Sequence, residues 1–184
     1  MRMLVILSVG LGSFFSISCG GDDGGSDDAA SSGGTGSDGG SSQDFPADTS
    51  QAGIEKFLEG ETYKSAPWRF DAAPRGTDDV VSPHKRMRVY FNPKAVSSIE
   101  AGNGMDSAPH DQGAMVIKEL YDDQDRVIGH AVSLKVGKTD SADDWLYYCD
   151  GPSADCGSST TPIYGPGEFE CHGCHNGSYF APLP

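Results

Sequence analysis

AMVIKELYDDQDRVIGHAVSLK, residues 114–135, is the stretch on which the fold turns. Residues 114–121 and 127–135 are rich in aliphatic and β-branched side chains, and the polar Asp122-Asp123-Gln124-Asp125 segment separates them. That pattern predicts two antiparallel strands joined as a hairpin. Working outward, residues 86–92 alternate, with Met87, Val89 and Phe91 on one face, and predict a further strand. Residues 145–149, rich in aromatics, predict a fourth. Residues 93–101 suit a helix, with Pro93 in its first turn and Asn92 as its cap. Residues 54–63 place Ile54, Phe57 and Leu58 at the spacing of a short amphipathic helix. No internal repeat interrupts this order. The expected class is α+β, mainly an antiparallel sheet with a few short helices.

Further outward the composition changes. Residues 1–18 read as a signal peptide: Arg2, then an apolar run over residues 3–11, then small residues ending Ser16-Ile17-Ser18. Cys19 follows at the position where a lipoprotein peptidase leaves a cysteine for acylation; ordinary cleavage after Ser18 also fits the small-x-small pattern. Lipidation would make the protein an exported lipoprotein, anchored to a membrane and facing the periplasm or the cell surface. Residues 20–51 are Gly, Ser and Asp with almost nothing apolar, which predicts a disordered tether spanning roughly 30 Å. Residues 52–184 form the expected folded domain. A formal charge of -14 argues against nucleic acid as a partner.

The chain has five cysteines: Cys19, Cys149, Cys156, Cys171 and Cys174. Cys171-His172-Gly173-Cys174-His175 fits the C-x-x-C-H pattern of covalent haem c attachment. Two thiols must reach two vinyl groups on one porphyrin edge, and the next residue turns under the iron as axial ligand. Cys171 and Cys174 are then the tethers and His175 the metal ligand. Cys149 and Cys156 remain across the turn Asp150-Gly151-Pro152, and in an oxidising compartment they predict a disulfide. Two other readings stand beside haem: a dithiol redox site, which normally needs a βαβ context, and a zinc site using Cys149, Cys156, Cys171 and Cys174. No methionine follows Cys174, so a second axial ligand would have to come from Met87, Met105, Met115, His84, His110 or His130. The simplest expectation is a five-coordinate iron with one open face. Lys118 is a further candidate, because alternation sets it with Val116 and Leu120. On a core-facing side its burial would give a neutral, nucleophilic amine. Alternatively that is the solvent face, with Lys118 snorkelling and Met115, Ile117 and Tyr121 inside.

Gly113-Ala114-Met115-Val116-Ile117-Lys118-Glu119, then a hairpin, then Asp144-Trp145-Leu146-Tyr147-Tyr148, then a terminal Cys-x-x-Cys-His resembles cytochrome P-460 and the related beta-type cytochromes c′. The Tyr63…Trp68 pair and the stretch from Ser82-Pro83-His84 to Val89-Tyr90-Phe91-Asn92 also suit that pattern, so the likeness covers residues 54–180. The resemblance implies a mostly antiparallel β fold, a homodimer, a five-coordinate haem, a redox partner protein and a small nitrogenous ligand or substrate such as hydroxylamine or nitric oxide. It also implies a cross-link from Lys118 to the porphyrin edge. In those oxidases a carboxylate on the strand after the lysine accepts protons. Here residues 127–135 contain no acidic residue, Ala131 falls at that place, and His130 is the nearest candidate base. Beta-type cytochromes c′ have the fold without the cross-link, and they imply a gas-binding or electron-transfer cytochrome in place of a hydroxylamine oxidase.

Overall fold

The computed structural model describes residues 44–76, 82–104, 108–139, 141–158, 161–175 and 183–184. All belong to the second of two compact units, Asp38–Pro184. The expected signal peptide and Cys19 lie outside the described residues. Among the described residues no helix is long and apolar enough to cross a membrane.

The first helix, α1 (Gln51–Glu59), starts earlier than its apolar spacing suggests. Ser50 caps it, its Oγ accepting from the Gly53 amide at 3.2 Å, and Ile54 and Leu58 are its buried residues. Residues ahead of position 52 already belong to this unit. Tyr164 Oη donates to the Thr49 carbonyl at 2.8 Å, and Asn92 Nδ2 donates to the Asp44 carbonyl at 2.9 Å.

Seven strands make one antiparallel sheet: β1 (Arg69–Phe70), β2 (Arg75–Gly76), β3 (Arg86–Phe91), β4 (Met115–Tyr121), β5 (Val127–Lys135), β6 (Trp145–Cys149) and β7 (Ile163–Pro166). Their order is β1-β3-β4-β5-β6-β7, with β2 also paired to β3. The fold is therefore α+β with a mainly antiparallel sheet, and its four inner strands are the four that the sequence predicts. Between β4 and β5 the Asp122 carboxylate accepts from the amides of Gln124 and Arg126, which closes the hairpin turn. Asn92 both caps α2 (Pro93–Glu100) and ties it to the sheet: its Oδ1 accepts from the Ala95 amide at 2.8 Å and the Met115 amide at 2.9 Å.

Both faces of the sheet are covered. On one, Tyr90, Met115, Ile117, Val132, Leu134, Leu146 and Tyr148 pack with Ile54 and Leu58 of α1 and with Tyr63 and Trp68. The other face has two separate apolar clusters. One joins Val89, Phe91 and Val116 to Ala95 of α2, and the second joins Leu120 to Cys149, Cys156 and Ile163. Period-2 alternation puts Lys118 on this second face, between Val116 and Leu120. Since Val116 and Leu120 are both buried there, this is not a solvent face, and Lys118 between them is half-buried.

The polypeptide crosses β5 closely at one point. A β-carbon on Gly129, whose φ is +157°, would lie 2.3 Å from Gly151 Cα. Two glycines let the turn after β6 lie against the strand, and that turn leads into α3 (Ser153–Cys156). The Cys149 and Cys156 sulfurs are 2.03 Å apart, at disulfide distance, with their Cα atoms 5.8 Å apart.

Candidate functional site

The Cys-x-x-Cys-His residues lie on α4 (Phe169–His175), which begins with Glu168 accepting from the Cys171 and His172 amides. On a helix, residues three and four apart share a side, so Cys171, Cys174 and His175 form one edge of α4. Cys171 packs against the Leu120, Cys149, Cys156 and Ile163 cluster, while Cys174 is exposed. That places α4 over the face of the sheet that carries Lys118. The His175 ring centre is 6.1 Å from that of Tyr147 and 6.4 Å from that of His84. Tyr147 Oη also lies 3.4 Å from His172 Nδ1.

The electrostatics define the same neighbourhood. Burial brings the Lys118 ammonium down to about 8; Arg75 adds to the drop, and the thiols of Cys171 and Cys174 oppose it. Burial, then the charges of Lys118 and His175, brings His84 down to about 3, so its imidazole is neutral at physiological pH. The Cys171 thiol is pushed up to about 12 by burial and by Glu168 and Glu170, which keeps it protonated. Burial and Cys171 raise the Tyr147 phenol.

His84, Lys118, Tyr147, Cys171, Cys174 and His175 thus gather on one side of the sheet. Of these, Cys171, Cys174 and His175 are the groups that could hold a haem through two thioethers and one axial nitrogen. The cysteine pair expected to bridge, Cys149 and Cys156, sits at disulfide distance, which removes two of the four thiolates that the zinc alternative requires. Among the described residues no group of three or more His, Cys, Asp or Glu side chains is arranged to hold a metal ion.

His130 is not brought to this site. It pairs with Glu119 across β4 and β5, on the face opposite Lys118. There its Nε2 is 3.4 Å from Tyr63 Oη and its Nδ1 is 3.6 Å from Asp150. The residue opposite Lys118 on β5 is Ala131. The other upstream candidates for an axial ligand sort in the same way. Met115 is buried in the cluster under α1; His110 is on the Lys118 side but is engaged elsewhere, bound to Ser98 Oγ of α2 and packed on Trp145. Met105 lies outside the described residues. Met87 and His84 remain on the Lys118 side.

Two features escape a reading of the sequence. Tyr147 reaches the site because it shares a face with Cys149, two residues on, and that parity was available in the strand. The second is a polar core on the opposite face: the buried Glu119 carboxylate accepts from Tyr90 Oη at 2.6 Å, Tyr121 Oη at 2.6 Å and Tyr63 Oη at 3.1 Å, and pairs with Lys64 Nζ at 2.7 Å. Burial favours the neutral acid, but the bonds from Lys64, Tyr121 and Tyr90 together outweigh it and hold the carboxyl below its ordinary value. No family model, curated protein or solved structure matches this chain.

Proposed function

We propose that this is an exported c-type haem protein of the cytochrome P-460 kind that binds or oxidises small nitrogen compounds. Cys171 and Cys174 are its haem tethers and His175 its axial ligand. The observation that carries this reading is the clustering of the motif helix with a half-buried lysine of depressed pKa, in a site whose thiols are free while the other two cysteines pair with each other. The donor set fits the group: two thiols on one helix edge, a histidine beside the second, and a buried His84 Nδ1 with no hydrogen-bond partner among the described residues. A haem held there supplies a redox-active iron with affinity for small nitrogenous ligands.

The chain's own residues do the rest. Cys171 is a thiol rather than a thiolate, which suits addition across a vinyl group and argues against a dithiol redox couple. Lys118, with a pKa near 8, carries a neutral amine in roughly one molecule in ten at neutral pH and can exchange a proton there. Electrostatically coupled to both thiols, it is the residue that would meet a porphyrin they held and form the cross-link. Leu120, Ile163 and the disulfide exclude water on that side of Cys171.

One observation favours binding over oxidation. The positions of β3, β4, β5 and β6 that face the same way as Lys118 include Met87, Val89, Ala131, Ser133, Tyr147 and Cys149, and none on that face is a carboxylate. With His130 on the far face, a proton acceptor of the oxidase type is missing from these positions. The second reading is therefore a gas-binding or electron-transfer cytochrome of the c′-beta type. Membrane anchoring through Cys19, a redox partner protein and a homodimer belong to the same proposal.

The test is expression of the full chain in a host that matures c-type cytochromes. Denatured protein should keep one haem by mass and lose it in a Cys171→Ala, Cys174→Ala double variant. Bare polypeptide mass in the parent would end the proposal. Turnover of hydroxylamine with an electron acceptor separates oxidase from gas binder. A red-shifted reduced spectrum that persists in Lys118→Ala would remove the cross-link.

A further inference from the structure

His84 precedes β3 and is almost fully buried. Its Nδ1 has no hydrogen-bond partner among the described residues, although a buried imidazole nitrogen left unpaired is unfavourable by about 1–3 kcal/mol. The ring is not otherwise adrift, since it hydrogen-bonds to the backbone of Asp155 in α3. That bond fixes the ring's orientation and leaves a lone pair on the unpartnered nitrogen. A ring nitrogen anchored to a main-chain carbonyl, with the other nitrogen bare, is the arrangement found in metal-binding histidines.

The spacing of the two rings bears on what that lone pair could meet. The two ring centres are 6.4 Å apart and their planes are inclined by 38°. A direct N–H···N bond would draw the centres to within about 5.2 Å. Two imidazoles bound to one metal ion set their centres about 6.3–6.5 Å apart, with about 2.0–2.1 Å from each nitrogen to the metal. The observed separation falls at that spacing.

We propose that His84 is the second axial ligand of the iron that His175 holds, so that the resting haem is six-coordinate and small ligands reach the iron by displacing His84. The inference rests on the haem reading above and replaces the five-coordinate iron that the lack of a downstream methionine predicts. It also gives the disulfide a part in the site. α3 ends at Cys156, which is joined to Cys149, and the same helix supplies the backbone group that orients His84. His84 would be a ligand held firmly enough to occupy the iron at rest, on a segment separate from α4.

The experiment uses the full chain carrying its covalent haem, verified by mass, and reads the ferric absorption and electron paramagnetic resonance spectra. The parent should be low-spin. His84→Ala should turn high-spin and should bind carbon monoxide in the ferrous state at least tenfold faster, and added imidazole should restore the low-spin spectrum. His84→Met, which keeps a ligand and an apolar body, should stay low-spin if the alanine variant loses its fold. A haem-loaded parent that is high-spin, or a low-spin spectrum that survives both substitutions unchanged, would overturn the ligation while leaving the haem attachment intact. A parent with no covalent haem would overturn both.

Discussion

Lys118 and Glu119 are neighbours on β4 facing opposite layers, and replacing them should move the stability of the haem-free chain in opposite directions. Consider Lys118→Met first. Folding lowers the lysine from 10.5 to about 8. That drop corresponds to roughly 3 kcal/mol of penalty on the charged form, or about 2 kcal/mol once partial exposure is allowed for. Removing the amine at pH 7 should therefore stabilise the chain by about 2 kcal/mol. At about 3–5 °C per kcal/mol for a domain of this size, the melting temperature should rise by roughly 6–10 °C. The sign with pH follows from proton counting. Between 8 and 10.5 the unfolded chain binds more protons at this site than the folded one, so the parent gains stability there as the pH rises. The advantage of Lys118→Met should be full below pH 8 and gone by pH 10.5. Glu119→Leu should behave in the opposite sense. It strands the Lys64 charge and three phenols that the carboxylate now satisfies, and it should lose about 3–5 kcal/mol at pH 7. Because the Glu119 carboxyl is held below its ordinary value, the difference between parent and Glu119→Leu should shrink as the pH falls through the folded value. Urea titrations at pH 7 and pH 10.5 decide the matter. A Lys118→Met chain that is less stable than the parent at pH 7, or equally favoured at both pH values, would refute the burial argument for Lys118.

Three other outcomes follow from the fold. Ser50→Ala should cost about 1 kcal/mol by urea denaturation, because it strips the α1 cap from the Gly53 amide. Replacing both Cys149 and Cys156 by Ala should cost about 2.5 kcal/mol, the loop-closure value for their sequence separation of 7, and reducing agent should lower the parent's melting temperature to match. Gly129→Ala should destabilise by more than 1 kcal/mol, since its β-carbon would meet the backbone of Gly151; adding Gly151→Ala should not recover the loss.

The four inner strands and both longer helices were legible because each has a periodic apolar pattern and a recognisable end: Asn92 and Pro93 start α2, and the acidic turn after Tyr121 separates β4 from β5. The edge strands β1, β2 and β7 are two to four residues long, too short to show a period, and they exist because longer neighbours offer them hydrogen bonds. The start of α1 does not show in hydropathy, because Ser50 sets it through a side-chain oxygen. At the site, Cys171, Cys174 and His175 could be read from spacing alone. Which side of the sheet Lys118 and His130 occupy could not, because alternation fixes relative parity and not which layer covers which face. A sheet covered on both sides has no solvent face to calibrate the reading. His84 was one of six candidate ligands in the sequence, and only three-dimensional placement set it near His175.

Two-sided covering has a consequence for how such a protein can change over time. The helix α1 side holds the largest apolar cluster and the tyrosine-bound carboxylate, while the α4 side holds the half-buried amine and the bare imidazole nitrogen. Substitutions separated by a strand's thickness and sharing no partners tend to act independently. One layer can therefore drift in ligand preference, accepting locally unfavourable groups, while its counterpart preserves the fold without compensating adjustment.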